Sequence, residues 1–254
     1  LAGFFVEELQ LSGEKPKISY EKPSHLEPST PIMIDKRVYD FDAALDGMAD
    51  GATIMSAGFG AAGAPQELLE AVLDRGYRDL VIISNNAGEG DRGLIRLLKE
   101  KRIAKVICSF PTSSNSEITK ELYSAGLLEL EIVPQGTLSE RMRAGGAGIG
   151  GFYTPTSVNT PLADGKEVRN IDGKDYVLEL PLTADFAFIK AREADRWGNL
   201  TYNLSARGFG PTMAMAAKTT IVQVDRFVEL GDIDPEQVIT PGIYVDRVME
   251  VEAS

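Results

Sequence analysis

Asp79-Leu80-Val81-Ile82-Ile83-Ser84 is a near-continuous apolar run of the kind that is buried on both faces of a parallel sheet. Its surroundings repeat one grammar. Upstream, Thr53 to Ala57 is a short apolar strand, and Pro65-Gln-Glu-Leu-Leu-Glu-Ala-Val-Leu73 has helical spacing with proline in its first turn. Downstream, the pattern predicts a helix over 91–100, a strand over 104–109, a helix over 115–125, a strand over 128–133 and a helix near 137–143. Strands alternating with helices of about ten residues mean βαβ units and a helix-covered parallel sheet. After Gly151 the character changes: Lys174 to Leu180 reads as a hairpin arm, 185–190 and 219–224 as strands, and Met213 to Ala217 as helical. The expected fold is α/β, an open, mostly parallel sheet flanked by helices, in a single domain over 32–254. Residues 1–31 are expected to form a loose N-terminal arm, because Pro16, Pro23, Pro28 and Pro31 lie there among charges.

Composition removes several function classes. The 254 residues are 43% apolar, enough for a sizeable core. Lys and Arg number 26 against 38 Asp and Glu, a formal charge of −12, so a nucleic-acid partner is not expected. No apolar run approaches the ~20 residues of a membrane span, and the N-terminal stretch lacks a secretory signal pattern, which points to the cytoplasm. A single cysteine, Cys108, excludes an internal disulfide framework and a cysteine-based zinc cluster, and no metal site is expected. The one histidine, His25, lies in the Pro-rich arm, where nothing would orient an imidazole. Histidine-based hydrolysis, zinc ligation and general-base catalysis are therefore set aside. Chemistry on this chain must run on carboxylates, carboxamides, hydroxyls, backbone donors or a partner's residues.

Candidate site residues cluster at strand ends. Gly58-Phe59-Gly60-Ala61-Ala62-Gly63 fits GxGxxG between a strand and a helix, where small residues let backbone N–H groups approach an anionic ligand. A dinucleotide site would also require an acid about twenty residues on, but the second strand ends Ser84-Asn85-Asn86. A tight turn with no ligand is the alternative. Ser84-Asn85-Asn86-Ala87-Gly88, Ser109-Phe110-Pro111-Thr112 and Val133-Pro134-Gln135-Gly136 occupy the same position after successive strands, so all should face one crevice. Asn85, Asn86 and Gln135 bring neutral carboxamides there, able to donate to a carbonyl or oxyanion. Any one of them can instead cap its own turn. A second cluster, Gly145-Gly146-Ala147-Gly148-Ile149-Gly150-Gly151, reads as a loop that lets something approach closely, with a plain flexible linker as the alternative.

In their order, DGATIMSAGFGAAGAP (residues 50–65), SNNAG, VPQGTLSERMRAGGAGIGGFYTPT and DRWGNL resemble the α (A) subunits of family I coenzyme A transferases, over nearly everything from Ile34 to Val248. The resemblance implies a ping-pong reaction in which a glutamate carboxylate attacks an acyl-CoA thioester and an enzyme–CoA thioester then carries CoA to an acceptor acid. It further implies succinyl-CoA as donor, a 3-oxo acid as acceptor (3-oxoadipate first, acetoacetate next), and a CoA thioester as substrate rather than any permanently bound cofactor. The family's nucleophile lies in a Ser-Glu-Asn-Gly motif of the β half, which this sequence lacks, so a β subunit is expected as partner in an αβ or α2β2 assembly. Asn85, Asn86 and Gln135 would then support catalysis, and Gly58, Phe59, Gly60, Ala61, Ala62 and Gly63 would bind the CoA thioester. Glu89 is the one glutamate placed near the crevice, at a position the family does not use. The sequence departs from the family at Ala57, where a glycine is usual, and at Thr156-Ser157-Val158-Asn159-Thr160, where many relatives read Thr-Gly-Tyr-Gly-Thr. Two readings from other classes compete: a dinucleotide-binding oxidoreductase and a non-catalytic relative of the same sheet fold.

Overall fold

The computed structural model describes residues 33–111 and 117–251; the N-terminal arm expected over 1–31 lies outside the described residues, as do His25 and Thr112. After a single helical turn, α1 (Phe41–Ala44), the chain alternates as the hydropathy pattern requires: β1 (Thr53–Ser56), α2 (Gln66–Asp74), β2 (Leu80–Asn86), α3 (Leu94–Lys99), β3 (Ile103–Phe110), α4 (Glu117–Ser124), β4 (Glu129–Ile132) and α5 (Gln135–Gly146). Three short antiparallel strands follow, β5 (Phe152–Thr154), β6 (Val168–Ile171) and β7 (Lys174–Glu179). The chain then returns to the main sheet with β8 (Ala184–Ala194), β9 (Leu200–Thr201), α6 (Gly210–Ala216), β10 (Ala217–Phe227) and β11 (Arg247–Glu250).

The main sheet runs β11-β10-β8-β1-β2-β3-β4, every neighbouring pair parallel, with β9 added antiparallel beside β8. Period-2 alternation divides its side chains between two cores. Ile54, Ile82, Val106, Phe188 and Ile221 face a cluster completed by Leu68, Leu69 and Val72 of α2 and by the apolar residues of α3. Met55, Ile83, Ile107, Ile189 and Val222 face the other, which Leu138 and Met142 of α5 and Met213 of α6 complete. A strand apolar on both faces is thus covered on both, within one unit, Ile34–Ser254.

The expected βαβ order holds, with two differences. The last helix of the first half is longer than 137–143 and begins at Gln135, directly after Pro134, whose fixed φ suits a helix entrance. In consequence Gly145 and Gly146 are helical, which corrects the reading of that glycine cluster as one open loop. A Cβ at Gly145 would collide with the Leu182 carbonyl, and one at Gly146 would stand 2.7 Å from Met215 Cβ. These two glycines let α5 lie close against α6 and the segment leading into β8.

The small sheet, order β5-β7-β6, is anchored to α5 by charge. Glu179 is buried, pairing with Lys166 at 2.7 Å and lying 3.9 Å from Arg141. Arg141 also reaches Glu131 of β4 at 2.9 Å and donates to the Leu180 carbonyl at 2.9 Å. Beyond β8, the DRWGNL stretch is a hairpin tip organised by buried Asp195, which accepts from the backbone N–H groups of Trp197 and Asn199 and from the Asn199 carboxamide.

Candidate active site

Because β1 to β4 are parallel and adjacent, their C-terminal ends open onto one edge of the sheet, the edge where α/β proteins place ligands. The turn after β1 is pinned at its root, Ala57 N–H donating to the Phe188 carbonyl of β8 at 2.9 Å. It closes on itself through Phe59 N–H to the Ala62 carbonyl, also 2.9 Å, and holds Phe59 exposed at its tip. Its glycines do different work. At Gly63, φ is +73° and a Cβ would collide with the Ala206 carbonyl oxygen, so this glycine seats the turn against the backbone of the Leu204–Arg207 segment. At Gly60, φ is +62° and the nearest group to an ideal Cβ is the Glu89 carboxylate. Gly58 and Gly60 both line a cleft walled by Ser56, Asn85, Glu89 and Arg92.

The structure brings Asn85 and Gln135 together. Asn85, 5% exposed, accepts at Oδ1 from Gln135 Nε2 and from the Ser109 hydroxyl, both at 2.9 Å. Its carboxamide oxygen is thereby occupied, and the NH2 end is the one left to serve a ligand. Asn86 does otherwise. Its Oδ1 accepts from the Gly88 N–H at 2.9 Å, and its backbone carbonyl accepts from the Ser84 hydroxyl at 2.5 Å, so it shapes the turn after β2. Ser109, which fixes Asn85 from β3, is not itself among the candidates from the sequence; its place at a strand end next to two carboxamide-bearing ends is the signal that marks it. Ser56 is also buried here, at the end of β1.

What this arrangement can do is donate hydrogen bonds. Burial pushes the Cys108 thiol up to about 11, so it stays protonated and is no nucleophile at neutral pH. Glu89 is the carboxylate nearest the turn, and Arg92 beside it pairs with Glu67 at 3.3 Å. Among the described residues no group of three or more His, Cys, Asp or Glu side chains is placed to hold a metal.

The family model described as Coenzyme A transferase matches residues 39–251. The chain belongs to the coenzyme A transferase family. Among its relatives, the α (A) subunit of the 3-oxoadipate CoA-transferase of Pseudomonas putida is 58% identical over 222 residues, 87% of this chain and 96% of that one. The α (A) subunit of the succinyl-CoA:3-ketoacid coenzyme A transferase of Xanthomonas campestris pv. campestris strain B100 is 52% identical over 215 residues, 84% of this chain and 88% of that one. Among solved structures, the glutaconate coenzyme A-transferase of Acidaminococcus fermentans superposes with a TM-score of 0.75 at 19% identity, covering 85% of this chain and 76% of that one. An acyl-CoA transferase of Escherichia coli O157:H7 superposes with a TM-score of 0.74 at 24% identity, over 85% of this transferase and 47% of that longer chain. Those two likenesses show the fold. Membership in the family sets aside the oxidoreductase reading of the glycine turn, in keeping with the acid missing from the end of β2.

Proposed function

We propose that this chain is the α subunit of a two-subunit CoA-transferase that moves CoA from succinyl-CoA to a 3-oxo acid, with 3-oxoadipate the preferred acceptor. The observation that carries the choice of acceptor is the 58% identity, over 96% of its length, to a relative named for 3-oxoadipate. The relatives named for a 3-ketoacid, without naming which, stand at lower identity. The partner β subunit supplies the glutamate nucleophile.

In this reading the thioester carbonyl lies at the mouth of the strand ends, against Asn85 and Gln135. As the partner's carboxylate attacks, the carbonyl oxygen gains negative charge. The Asn85 NH2, held in place through its bonds to Gln135 and Ser109, donates to that oxygen without competing as a nucleophile. CoA leaves as the thiolate while an acyl–glutamyl anhydride forms. The thiolate then attacks the glutamyl carbonyl, releasing the acid and leaving CoA on the enzyme as a thioester. The acceptor carboxylate reverses the sequence. Gly58 to Gly63 form the wall along which the thioester enters, Gly60 being the point of close approach. Asn86 supports the site by holding the turn that carries Glu89.

The test is an acceptor panel. The chain purified with its partner subunit is assayed with succinyl-CoA against 3-oxoadipate, acetoacetate and acetate. The expected result is a kcat/KM at least about tenfold higher for 3-oxoadipate than for acetoacetate, a difference of ~1.4 kcal/mol in transition-state stabilisation. Preference for acetoacetate or acetate would overturn the acceptor assignment.

A further inference from the structure

The small sheet ends in an open strand. Its order, β5-β7-β6, leaves β6 with no described strand on its outer side, and Val168–Ile171 are exposed along their whole length, Val168 at 52%. We propose that two copies of this chain join here, β6 lying antiparallel against β6 of the second copy across a twofold axis, so that the two small sheets form one six-stranded sheet. The proposal rests on the two-subunit reading above and adds to it the arrangement α2β2, held by a contact between the two α subunits.

The backbone fixes which residues can pair. The Leu178 N–H of β7 donates to the Glu167 carbonyl at 2.9 Å, and Arg169 and Ile171 stand opposite Tyr176 and Lys174. Hydrogen-bonded pairs alternate with non-bonded ones in an antiparallel ladder, so residues 167, 169 and 171 spend their backbone bonds on β7. Val168 and Asn170 turn their N–H and C=O groups outward. A second β6 therefore has three registers: Val168 on Val168, Val168 on Asn170, or Asn170 on Asn170.

Charge selects among them. The first register sets Glu167 opposite Arg169 of the second copy, twice by symmetry, in the non-hydrogen-bonded positions where side chains come closest. The second stacks Arg169 on Arg169. The third brings Val168 against Asp172, which has left the strand, with φ +52°, to open the turn into β7. Glu167 and Arg169 already pair at 2.9 Å within one chain, so the first register closes a ring of four alternating charges. Arg169 is held 4.8 Å over the Tyr153 ring, and Glu167 accepts from the Tyr153 hydroxyl. Both charges are thus set in place before a second copy arrives, which lowers the ordering cost of association.

The open edge of the main sheet shows the contrast. β4 carries Glu129 and Glu131, and doubling it about Leu130 would set one acid against the other. Like charges directly opposite are destabilising, whereas the charges beside β6 match a second copy. A four-residue edge buries less than the ~1,200 Å² of a stable interface, so the contact is tested in the assembled complex.

The experiment weighs the two-subunit complex by sedimentation velocity. Wild type is expected at 2:2. Arg169→Glu and Glu167→Arg each place like charges across the axis, and each is expected to weaken the joining of two αβ units about tenfold or more. The two substitutions together restore the match and return the wild-type value, which a mere loss of fold would not do. Val168→Cys, oxidised, is expected to link α to α, because residues on the axis lie ~5.5 Å apart. Ile171→Cys, ~20 Å from its copy, stays unlinked. The native Cys108 is buried and leaves both readings clean. A wild-type complex at 1:1, a 2:2 complex indifferent to both single reversals, or linkage from residue 168 to the partner subunit would overturn the proposal. Should no partner subunit bind, the two-subunit reading fails, and the same cysteine variants of the chain alone at high concentration decide the contact: linkage at 168 supports it and none overturns it.

Discussion

Asn85 and Asn86 are neighbours in sequence and opposites in use. Alternation along β2 turns Asn85 into the crevice, buried and held by Gln135 and Ser109, and leaves Asn86 to close its own turn on Gly88. That both asparagines and Gln135 stand after strand ends was legible from the sequence, because a strand end in a parallel sheet is a defined place. Which asparagine turns toward Gln135 and Ser109 was not, since that depends on register: Ser84 pairs with Cys108 and Asn86 with Phe110, which sets Ser109 opposite Asn85. Gln135→Ala in the two-subunit complex is expected to lower kcat about tenfold or more with a modest change in KM. That is less than the ~10²–10³ for a full oxyanion donor, because Gln135 acts by orienting Asn85. Asn85→Ala is expected to cost more than Gln135→Ala, and Asn86→Ala less than either, measured as kcat on one set of preparations. Equal effects at Asn85 and Asn86 would contradict the division of labour.

Among the elements, the loop after β5 shows what its departure from the family pattern costs. Ser157 has φ +74° and Asn159 φ +59°, the left-handed region, at the two places where many relatives of the family have glycine. Asparagine tolerates that region; serine pays for its Cβ there, and the Ser157 hydroxyl is buried with no hydrogen-bond partner. Ser157→Gly is expected to stabilise the fold by ~1 kcal/mol in denaturant unfolding, the lost strain outweighing the entropy of glycine. The small sheet itself was only half legible. Lys174 to Leu180 read as a hairpin arm because β7 buries part of one face, whereas β6 is exposed along its whole length and carries no pattern. Its attachment through Glu179 and Arg141 is a tertiary choice that periodicity does not encode. Arg141→Met is expected to cost about 2–3 kcal/mol, below the ~3–5 of a wholly unpaired buried charge because Lys166 still reaches Glu179. A melting curve unchanged from wild type would mean that the ion cluster contributes nothing net.

At the level of the whole molecule, the alternating sheet followed from strands apolar on both faces, and those strands lie where hydropathy puts them. What periodicity left out was close approach: Gly145 and Gly146 look like loop residues in composition and serve helix packing, because only the neighbouring backbone at Leu182 and Met215 shows what they accommodate. The same limit applied to the glycine turn, where Gly63 meets Ala206 and Gly60 meets Glu89. The assembled crevice holds donors and the Glu89 carboxylate, at a position the family does not use; the Cys108 thiol is buried in the core, and the family's Ser-Glu-Asn-Gly nucleophile motif is absent from the sequence. The central claim is therefore that this chain is one half of an active site. It is tested most directly by following CoA transfer from succinyl-CoA to 3-oxoadipate with the purified chain alone and with the chain mixed with its partner subunit. The account predicts no turnover above background from the chain alone and sustained turnover from the pair; turnover by the chain alone, or none from the assembled pair, would contradict it.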